Sequence, residues 1–234
     1  MTVTALVSGG KDSVYAAYLA DSQGWPVDEL LTLRPQDPES MMFHTPNLDL
    51  VALQARAWGR RHRIVPTEGA DEAAELEALG QALRGTTGPI VAGAIASSYQ
   101  WARLLRIADR VGRRLYAPLW RKEPGRVVRE EISAGLDIRL VHLAADPLPA
   151  EWVGSRLDAH RLEELERRTD GGRRMNLAGE GGEYETLVVD APFFSARIEI
   201  ESSRTTVTGA TARLDIVSAY LKRKEDAQPS GRSG

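Results

Sequence analysis

The stretch VTALVSGGKDS, residues 3–13, decides the fold of this chain. Residues 3–7 form a short apolar run of β-prone residues, and residues 12–23 carry apolar side chains at helical spacing before Gly24. A strand that passes through two glycines into a helix presents backbone N–H groups and the positive end of the helix dipole to an anion. The sequence therefore predicts a phosphate-binding loop at the first strand–helix junction.

The side chains of this loop fit the same role. The two glycines allow a tight turn, the lysine adds a positive charge, and the two serines add hydroxyl donors. The carboxylate of Asp12 fits if it meets phosphate through Mg²⁺. The predicted phosphate-binding residues are Ser8, Gly9, Gly10, Lys11, Asp12 and Ser13. The alternative is an ordinary Ser/Gly turn before an N-capped helix, with Asp12 interacting with the helix dipole.

Strand and helix patterns alternate along the chain up to about residue 147. Strand patterns occur at residues 28–33, 63–66, 89–92, 114–116 and 138–143. Helical patterns occur at residues 48–58, 71–84, 97–111 and 126–134. This alternation predicts an α/β fold with a parallel sheet and helices on both of its faces.

The pattern changes after Pro147. One helical pattern at residues 155–168 is followed by strand patterns without intervening helices, at residues 187–189, 196–201, 205–208 and 212–217. We predict a phosphate-binding domain at residues 1–147 and a smaller C-terminal α+β lobe at residues 148–223. The polar residues 224–234 are predicted to be a disordered tail.

Composition excludes several classes of protein. The chain has 234 residues, no cysteine and a formal net charge of −3. The absence of cysteine excludes disulfides, cysteine-ligated zinc, iron–sulfur clusters and thiol nucleophiles. The slightly acidic balance is not typical of a protein that binds nucleic acid stably. Because no signal segment or long apolar run is present, we expect a cytoplasmic protein that does not enter the membrane.

The loop sequence SGGKDS is not a Walker A motif, which places four residues between its first glycine and Gly-Lys. It resembles the signature of the PP-loop ATP pyrophosphatases, which cleave ATP between the α and β phosphates. This resemblance implies a fold like that of the adenine nucleotide α-hydrolases, with ATP and Mg²⁺ as cofactors.

Other segments resemble one branch of that class, the diphthine–ammonia ligases of diphthamide synthesis. They are residues 38–40, 42–47, 93–97, 99–100, 117–120, 152–154 and 178–186, within a resemblance that spans roughly residues 1–198. The resemblance implies an AMP-forming ligase that uses ATP and ammonium to convert the diphthine carboxylate of an elongation factor into an amide. The smaller C-terminal domain is then expected to bind this protein acceptor.

The resemblance also implies a set of site residues. The expected catalytic residues are Lys11, Asp12, Glu183 and Glu185, with Asp12 as the metal ligand. Gly93 and Ala94 complete the ATP site, because they follow a strand near the carboxyl edge of the sheet. The expected substrate-binding residues are His44, Asn47, Tyr99, Gln100, Glu180, Gly182, Glu183 and Tyr184.

Several of these residues have a second interpretation. The three glutamates at 180, 183 and 185 form either an acidic pocket for ammonium or Mg²⁺, or a solvated turn with glycines. His44 either contacts the nucleotide or acceptor, or donates a hydrogen bond within its loop. Asn47 is also a good N-cap for the helix that follows. Gly93 and Ala94 also fit an ordinary tight turn, and Tyr99 also fits a helix core.

Four functions remain open from the sequence. The first is amidation of diphthine, and the second is the same chemistry on a small carboxylic acid or with another amine. The third is tRNA modification by a PP-loop enzyme, against which the absence of cysteine counts. The fourth is a nucleotide-sensing module without turnover. A homodimer is compatible with each of them.

Overall fold

The computed structural model of the chain describes residues 3–35, 47–67, 71–144, 148–170 and 175–224. The predictions for His44 and for all but the first residue of the tail, 224–234, therefore lie outside the described residues. Within these ranges, no helix is both long and apolar enough to cross a membrane.

The first half of the chain contains a parallel sheet of five strands in the order β3-β2-β1-β4-β5. Its strands are β1 (Val3–Leu6), β2 (Val27–Arg34), β3 (Arg61–Pro66), β4 (Ile90–Val91) and β5 (Leu115–Tyr116). The chain moves outward from β1 to β3 and then returns to the other side of β1. The carboxyl end of β1 is thus the point where strand order reverses, which is where open α/β sheets bind ligands.

Helices cover both faces of this sheet, as predicted. Among the described residues, the α-helices are α1 (Lys11–Ser22), α2 (Val51–Trp58), α3 (Glu72–Arg84), α4 (Ser98–Arg110), α5 (Pro124–Ser133) and α6 (Ala159–Asp170), the last of which packs against α5. One apolar core contains buried residues of α1, α2, α5 and α6, and a second contains those of α3 and α4. The alternating faces of β1 and β2 supply both cores, so the predicted α/β fold is confirmed.

Local sequence accounts for several helix ends. The Asp71 carboxylate accepts the N–H of Ala74 at 2.8 Å and so caps α3. The Glu123 carboxylate caps α5, which has a proline at its first position. Helix α2 ends at Gly59, whose φ of 69° lies in the left-handed region that favours glycine.

The second half of the chain contains a separate antiparallel sheet in the order β7-β6-β9-β8. Its strands are β6 (Asp137–Leu143), β7 (Tyr184–Asp190), β8 (Ala196–Thr208) and β9 (Thr211–Arg223). The two strands predicted at 196–201 and 205–208 form the single strand β8, with an irregular register near Ser202.

The prediction that residues 138–143 form a sixth parallel strand was wrong. These residues lie in β6, which pairs with β7 and β9 in antiparallel register, for example Ile138 with Val188. An apolar strand pattern specifies burial but not the partner strand, so the sequence could not assign its sheet. The domain boundary after residue 147 stays a prediction, and β6 precedes this boundary while its partners follow it.

Candidate active site

The loop between β1 and α1 is a tight turn stabilised by its own serines. Gly9 has a φ of +87°, a conformation that favours glycine. The Ser13 hydroxyl donates to the Gly10 carbonyl at 3.0 Å and accepts the N–H of Ser8 at 3.2 Å. Helix α1 begins immediately afterwards at Lys11. The loop is therefore preorganised with its amide groups at a helix N-terminus, as phosphate binding requires.

Residues distant in sequence hold this loop from the side of the antiparallel sheet. The N–H of Val188 donates to the Gly9 carbonyl at 3.0 Å, and the N–H of Lys11 donates to the Thr186 hydroxyl at 3.1 Å. The side-chain amide of Gln54 donates to the carbonyls of both Gly9 and Val188. The conformation of the loop thus depends on β7 and α2, which the sequence analysis did not foresee.

A cavity next to the loop is lined by apolar, polar and small residues. The apolar part is lined by Leu6, Val7, Leu31, Leu33, Leu79, Ala92 and Leu104. The polar part is lined by Ser8, Asp12, Ser13, Gln100, Glu180, Tyr184, Glu185 and Thr186. Small residues complete the wall: Gly10, Gly93, Ala94, Ala178 and Gly179. A lining that combines apolar side chains with hydroxyl and backbone N–H groups is suited to a base with an attached phosphate chain.

Lys11 lies in a different environment from the one that the sequence predicted. Its side chain is only 1% exposed and is not among the described residues that line the cavity. The ammonium Nζ lies 2.6 Å from Asp12 Oδ1 and 3.6 Å from Glu131 Oε2. Burial alone lowers the pKa of Lys11, but the charges of Asp12 and Glu131 outweigh burial and raise it. Asp12 therefore connects the cavity to a buried positive charge.

Glu131 is a site residue that the sequence analysis missed. It lies on α5, is fully buried, and shares the inward face of that helix with Val127 and Val128. Burial raises the pKa of its carboxyl well above the usual range; Lys11 opposes this shift, and Asp12 adds to it. The sequence did contain a sign of this buried position. Glu131 lies three and four residues after two valines, so on a helix it shares their core-facing side.

The three glutamates of the segment 180–185 have three different environments. The Glu180 carboxylate accepts the N–H groups of Ile95 at 2.9 Å and of Ala96 at 2.8 Å. Glu185 lines the cavity, and its carboxylate lies 3.8 Å from His142 Nδ1. Glu183 is not among the described cavity residues. Its carboxylate accepts the N–H groups of Asn176 and Gly181, at 2.7 Å and 2.8 Å, and so stabilises its own turn.

The Glu180 carboxylate connects the C-terminal half of the chain to the turn after β4. We expect Glu180→Ala to raise KM for the expected nucleotide, ATP, about tenfold, because two N–H groups in the turn that follows the lining residues Gly93 and Ala94 lose their acceptor. Glu123→Ala is a matched control, since it removes a carboxylate that also accepts two backbone N–H groups, at 2.8 and 2.6 Å. Steady-state kinetics would contradict the role of Glu180 if both variants changed KM equally.

Some of the other predicted residues line the cavity and others do not. Gly93, Ala94, Gln100 and Tyr184 line the cavity. Gly182 has a φ of +81° in its turn and is not among the described lining residues.

Tyr99 and Asn47 are also not among the described residues that line this cavity. The Tyr99 ring packs against the Arg103 guanidinium, 3.2 Å from the ring centre, and its hydroxyl donates to Glu72. Asn47 stands at the N-cap position of the 3₁₀ turn Leu48–Leu50, but its side chain makes no capping hydrogen bond there. Its side-chain amide instead contacts β9, donating to Leu214 O at 3.1 Å and accepting from Ile216 N at 3.0 Å.

Comparison with known proteins identifies the family. The family model of the diphthamide synthase N-terminal domain matches residues 1–115, and that of the C-terminal domain matches residues 123–221. A diphthine–ammonia ligase from Danio rerio is 32% identical over 88% of this chain and 89% of its own. The Homo sapiens diphthine–ammonia ligase is 30% identical over 95% of this chain and 90% of its own.

Two further matches differ in how much of the matched protein they cover. The diphthine–ammonia ligase of Schizosaccharomyces pombe is 30% identical over 98% of this chain but only 41% of its own length. A solved structure, a predicted subunit of tRNA methyltransferase from Methanocaldococcus jannaschii, has a TM-score of 0.48 and 15% identity over 82% of this chain and 98% of its own. The two family domains together cover most of the sequence. The chain therefore belongs to the diphthamide synthase family and is an AMP-forming ligase.

Proposed function

We propose that this chain amidates the diphthine carboxylate of an elongation factor, using ATP and ammonia and releasing AMP and pyrophosphate. The observation that carries the proposal is the cavity itself. It joins the loop at residues 8–13 to the acidic segment at residues 180–186, so that nucleotide and amine would meet in one place. The diphthine–ammonia ligases among its relatives support the same substrates.

The reaction requires two transfers. A carboxylate oxygen of the acceptor attacks the α-phosphorus of ATP, and the bond to the β-phosphate oxygen breaks to release pyrophosphate. Ammonia, formed when ammonium gives up a proton, then attacks the acyl carbon. The bond to AMP breaks, and the nitrogen loses a second proton to give the neutral amide. Activation is necessary because a carboxylate is a poor electrophile until its oxygen becomes part of a better leaving group.

The cavity residues fit ATP and Mg²⁺. The apolar leucines are suited to the adenine, and the loop amides and the hydroxyl of Ser8 to the phosphates, while the Ser13 hydroxyl stabilises the loop. Within the described ranges, no group of three or more candidate metal ligands occurs. Asp12 alone is a sufficient protein ligand, because Mg²⁺ commonly takes one or two carboxylates and completes its shell with phosphate oxygens and water. Bound there, the ion would neutralise the phosphate charge.

The acidic segment would receive ammonium and its protons. Glu185 is the member of the predicted pair that lines the cavity, so we assign it the closer contact with the amine. Glu183 would act through the turn that its carboxylate stabilises. Tyr184, between them, lines the cavity with its ring 5.9 Å from the Lys11 ammonium.

Glu183→Gln should slow amide formation more than it weakens ATP binding. The amide side chain retains the size of the glutamate but replaces one of the two acceptors that bind Asn176 and Gly181. We expect about a tenfold loss in the rate of amide formation, the effect of one weakened charged hydrogen bond. Single-turnover kinetics and equilibrium ATP binding measure the two effects separately. Unchanged turnover would remove Glu183 from the proposed site.

One assay tests the proposed function directly. The pure protein is incubated with ATP, Mg²⁺, ¹⁵N-ammonium and a diphthine-bearing elongation factor, while AMP and the mass of the factor are followed. AMP formation together with incorporation of ¹⁵N as an amide is the expected result. ATP binding without AMP formation would reject diphthine as the acceptor and direct the search to small carboxylic acids or other amines.

The proposal also assigns a role to each region of the chain and a cellular location to the enzyme. Residues 1–147 would supply most of the ATP site, and residues 148–223 would bind the acceptor protein. Because residues between 178 and 186 line the cavity, the second region would also form part of the wall of the proposed nucleotide site. We propose a cytoplasmic enzyme that forms no stable complex with nucleic acid. A homodimer remains compatible with this proposal.

A further inference from the structure

Gln54 makes an unusual connection between the phosphate loop and the antiparallel sheet. Its side chain lies on α2 and is only 1% exposed. The amide nitrogen Nε2 donates to the Gly9 carbonyl at 2.9 Å and to the Val188 carbonyl at 2.7 Å. A side-chain amide nitrogen carries two protons, so this group uses both of its donors on these two backbone carbonyls.

These bonds fix the orientation of one peptide group in the loop. The Gly9 carbonyl also accepts the N–H of Val188 at 3.0 Å, so it is held by two donors, and neither donor residue is among the described residues that line the cavity. In a trans peptide, the N–H of the next residue points opposite to the carbonyl. The N–H of Gly10 therefore faces away from Gln54 and Val188, and Gly10 lines the cavity.

Close packing around Gly9 restricts the backbone conformations that this residue can adopt. A Cβ added at Gly9 would lie 3.1 Å from Val51 Cγ2, 3.2 Å from Gln54 Oε1 and 3.3 Å from Leu187 Cδ1. Rotation of the Gly9–Gly10 peptide would also leave the Gln54 amide without one of its acceptors in a buried site, which costs free energy. The structure therefore holds this peptide in one orientation.

We propose that Gln54 is a positioning residue for nucleotide binding, which fixes the Gly9–Gly10 peptide so that the Gly10 N–H faces the phosphates. This inference rests on the proposed binding of ATP in the same cavity. Gln54 acts through the backbone and does not touch the nucleotide. Glutamate at this position would place a carboxylate against two carbonyl oxygens, and an apolar side chain would supply no donor, so the role requires an amide.

Gln54→Met tests this role because methionine has a similar volume and no N–H donor. We expect the Kd for α,β-methylene ATP with Mg²⁺, measured by titration calorimetry, to rise about tenfold. Ser195→Ala is the matched control, because it removes another side-chain bond to α2, from Ser195 Oγ to the Ala57 carbonyl at 2.9 Å, without touching the loop. Equal Kd values for Gln54→Met and the wild type would overturn the inference.

A measurement on the wild-type protein covers the case in which Gln54→Met does not fold. Addition of the same analogue should shift the Gly10 amide resonance in a ¹⁵N correlation spectrum, and an unshifted Gly10 resonance would overturn the inference. The inference about Gln54 and the proposed amidation of diphthine can be rejected independently of each other. Weakened analogue binding in Gln54→Met, without amidation of diphthine by the wild type, would reject the proposed acceptor and leave the role of Gln54 standing.

Discussion

Replacement of Lys11 by alanine, or of Asp12 by alanine, is expected to abolish pyrophosphate release. The structure gives a reason for each variant. Lys11→Ala removes the ammonium that lies 2.6 Å from Asp12 and 3.6 Å from Glu131, leaving two neighbouring carboxyl groups without their positive partner. Asp12→Ala removes the carboxylate that connects this charge to the cavity and is the proposed Mg²⁺ ligand. We expect losses on the order of 10³-fold in rate.

The two variants should differ in stability. Breaking a buried ion pair by removing one partner costs about 3–5 kcal/mol, so Lys11→Ala should lower the free energy of unfolding substantially. Asp12→Ala should cost less, because the Asp12 side chain is 28% exposed and Glu131 remains close to Lys11.

Thermal unfolding and a pyrophosphate-release assay measure the two effects. Lys122→Ala is the control lysine variant, because Lys122 is one-third exposed, pairs with the partly exposed Glu130 at 2.7 Å and is not among the described residues that line the cavity. It should retain activity and most of its stability, since solvent screens a partly exposed ion pair. Pyrophosphate release at the wild-type rate by either folded site variant would contradict the proposed chemistry.

Gly93→Ala is expected to cause a large loss of stability and activity, although it adds only a single methyl group. A Cβ at this position would lie 2.7 Å from the carbonyl carbon and oxygen of Asp12 and 2.7 Å from the nitrogen of Ser13. All three atoms are backbone atoms in the first turn of α1, so no side-chain rotation can relieve the contact. The turn after β4 must move away from the phosphate loop, and the cavity between them must change shape.

We expect Gly93→Ala to destabilise the fold by about 3 kcal/mol, the upper end of the usual cost of overpacking. ATP-dependent turnover should fall at least about a hundredfold, because displacement of site groups by about an ångström can have that effect. Gly80→Ala provides the comparison, since an added Cβ there meets no atom within 4 Å and Gly80 lies inside helix α3. That variant should be neutral or slightly stabilised. Similar activities for the two variants would show that Gly93 does not position the loop.

The Lys11 and Asp12 variants test residues that the sequence identifies, whereas the Gly93 variant tests close contacts that only the structure shows. The roles proposed for Lys11 and Asp12 come from the sequence, because the strand, the glycines and the helix start are adjacent in it. The alternation of patterns up to β5 likewise predicted the parallel sheet and its helices. These are local properties: turn formation depends on backbone conformation at two glycines, and helix and strand patterns on periodic burial.

The same dependence on local sequence explains why the partners of residues 138–143 and of Asn47 were not predicted. Residues 138–143 have the same apolar character in either sheet, so their pairing with β7 could not be read from that segment. Asn47 has the residue type of an N-cap, yet its amide finds backbone partners on β9, more than 160 positions away. A side chain with several polar atoms takes the partners that the completed fold brings to it, and these include groups far along the chain.

The sequence by itself determined the tight glycine turn between the first strand and helix, the α/β class and the family, because each depends on short segments whose order is visible in the chain. Only the tertiary structure decided that Lys11 lies buried between Asp12 and Glu131, and that Gln54 and Val188 hold the Gly9 carbonyl. The physical reason is that burial and hydrogen bonding between distant elements fix charges and peptide orientations. Residue type and spacing alone do not specify those contacts.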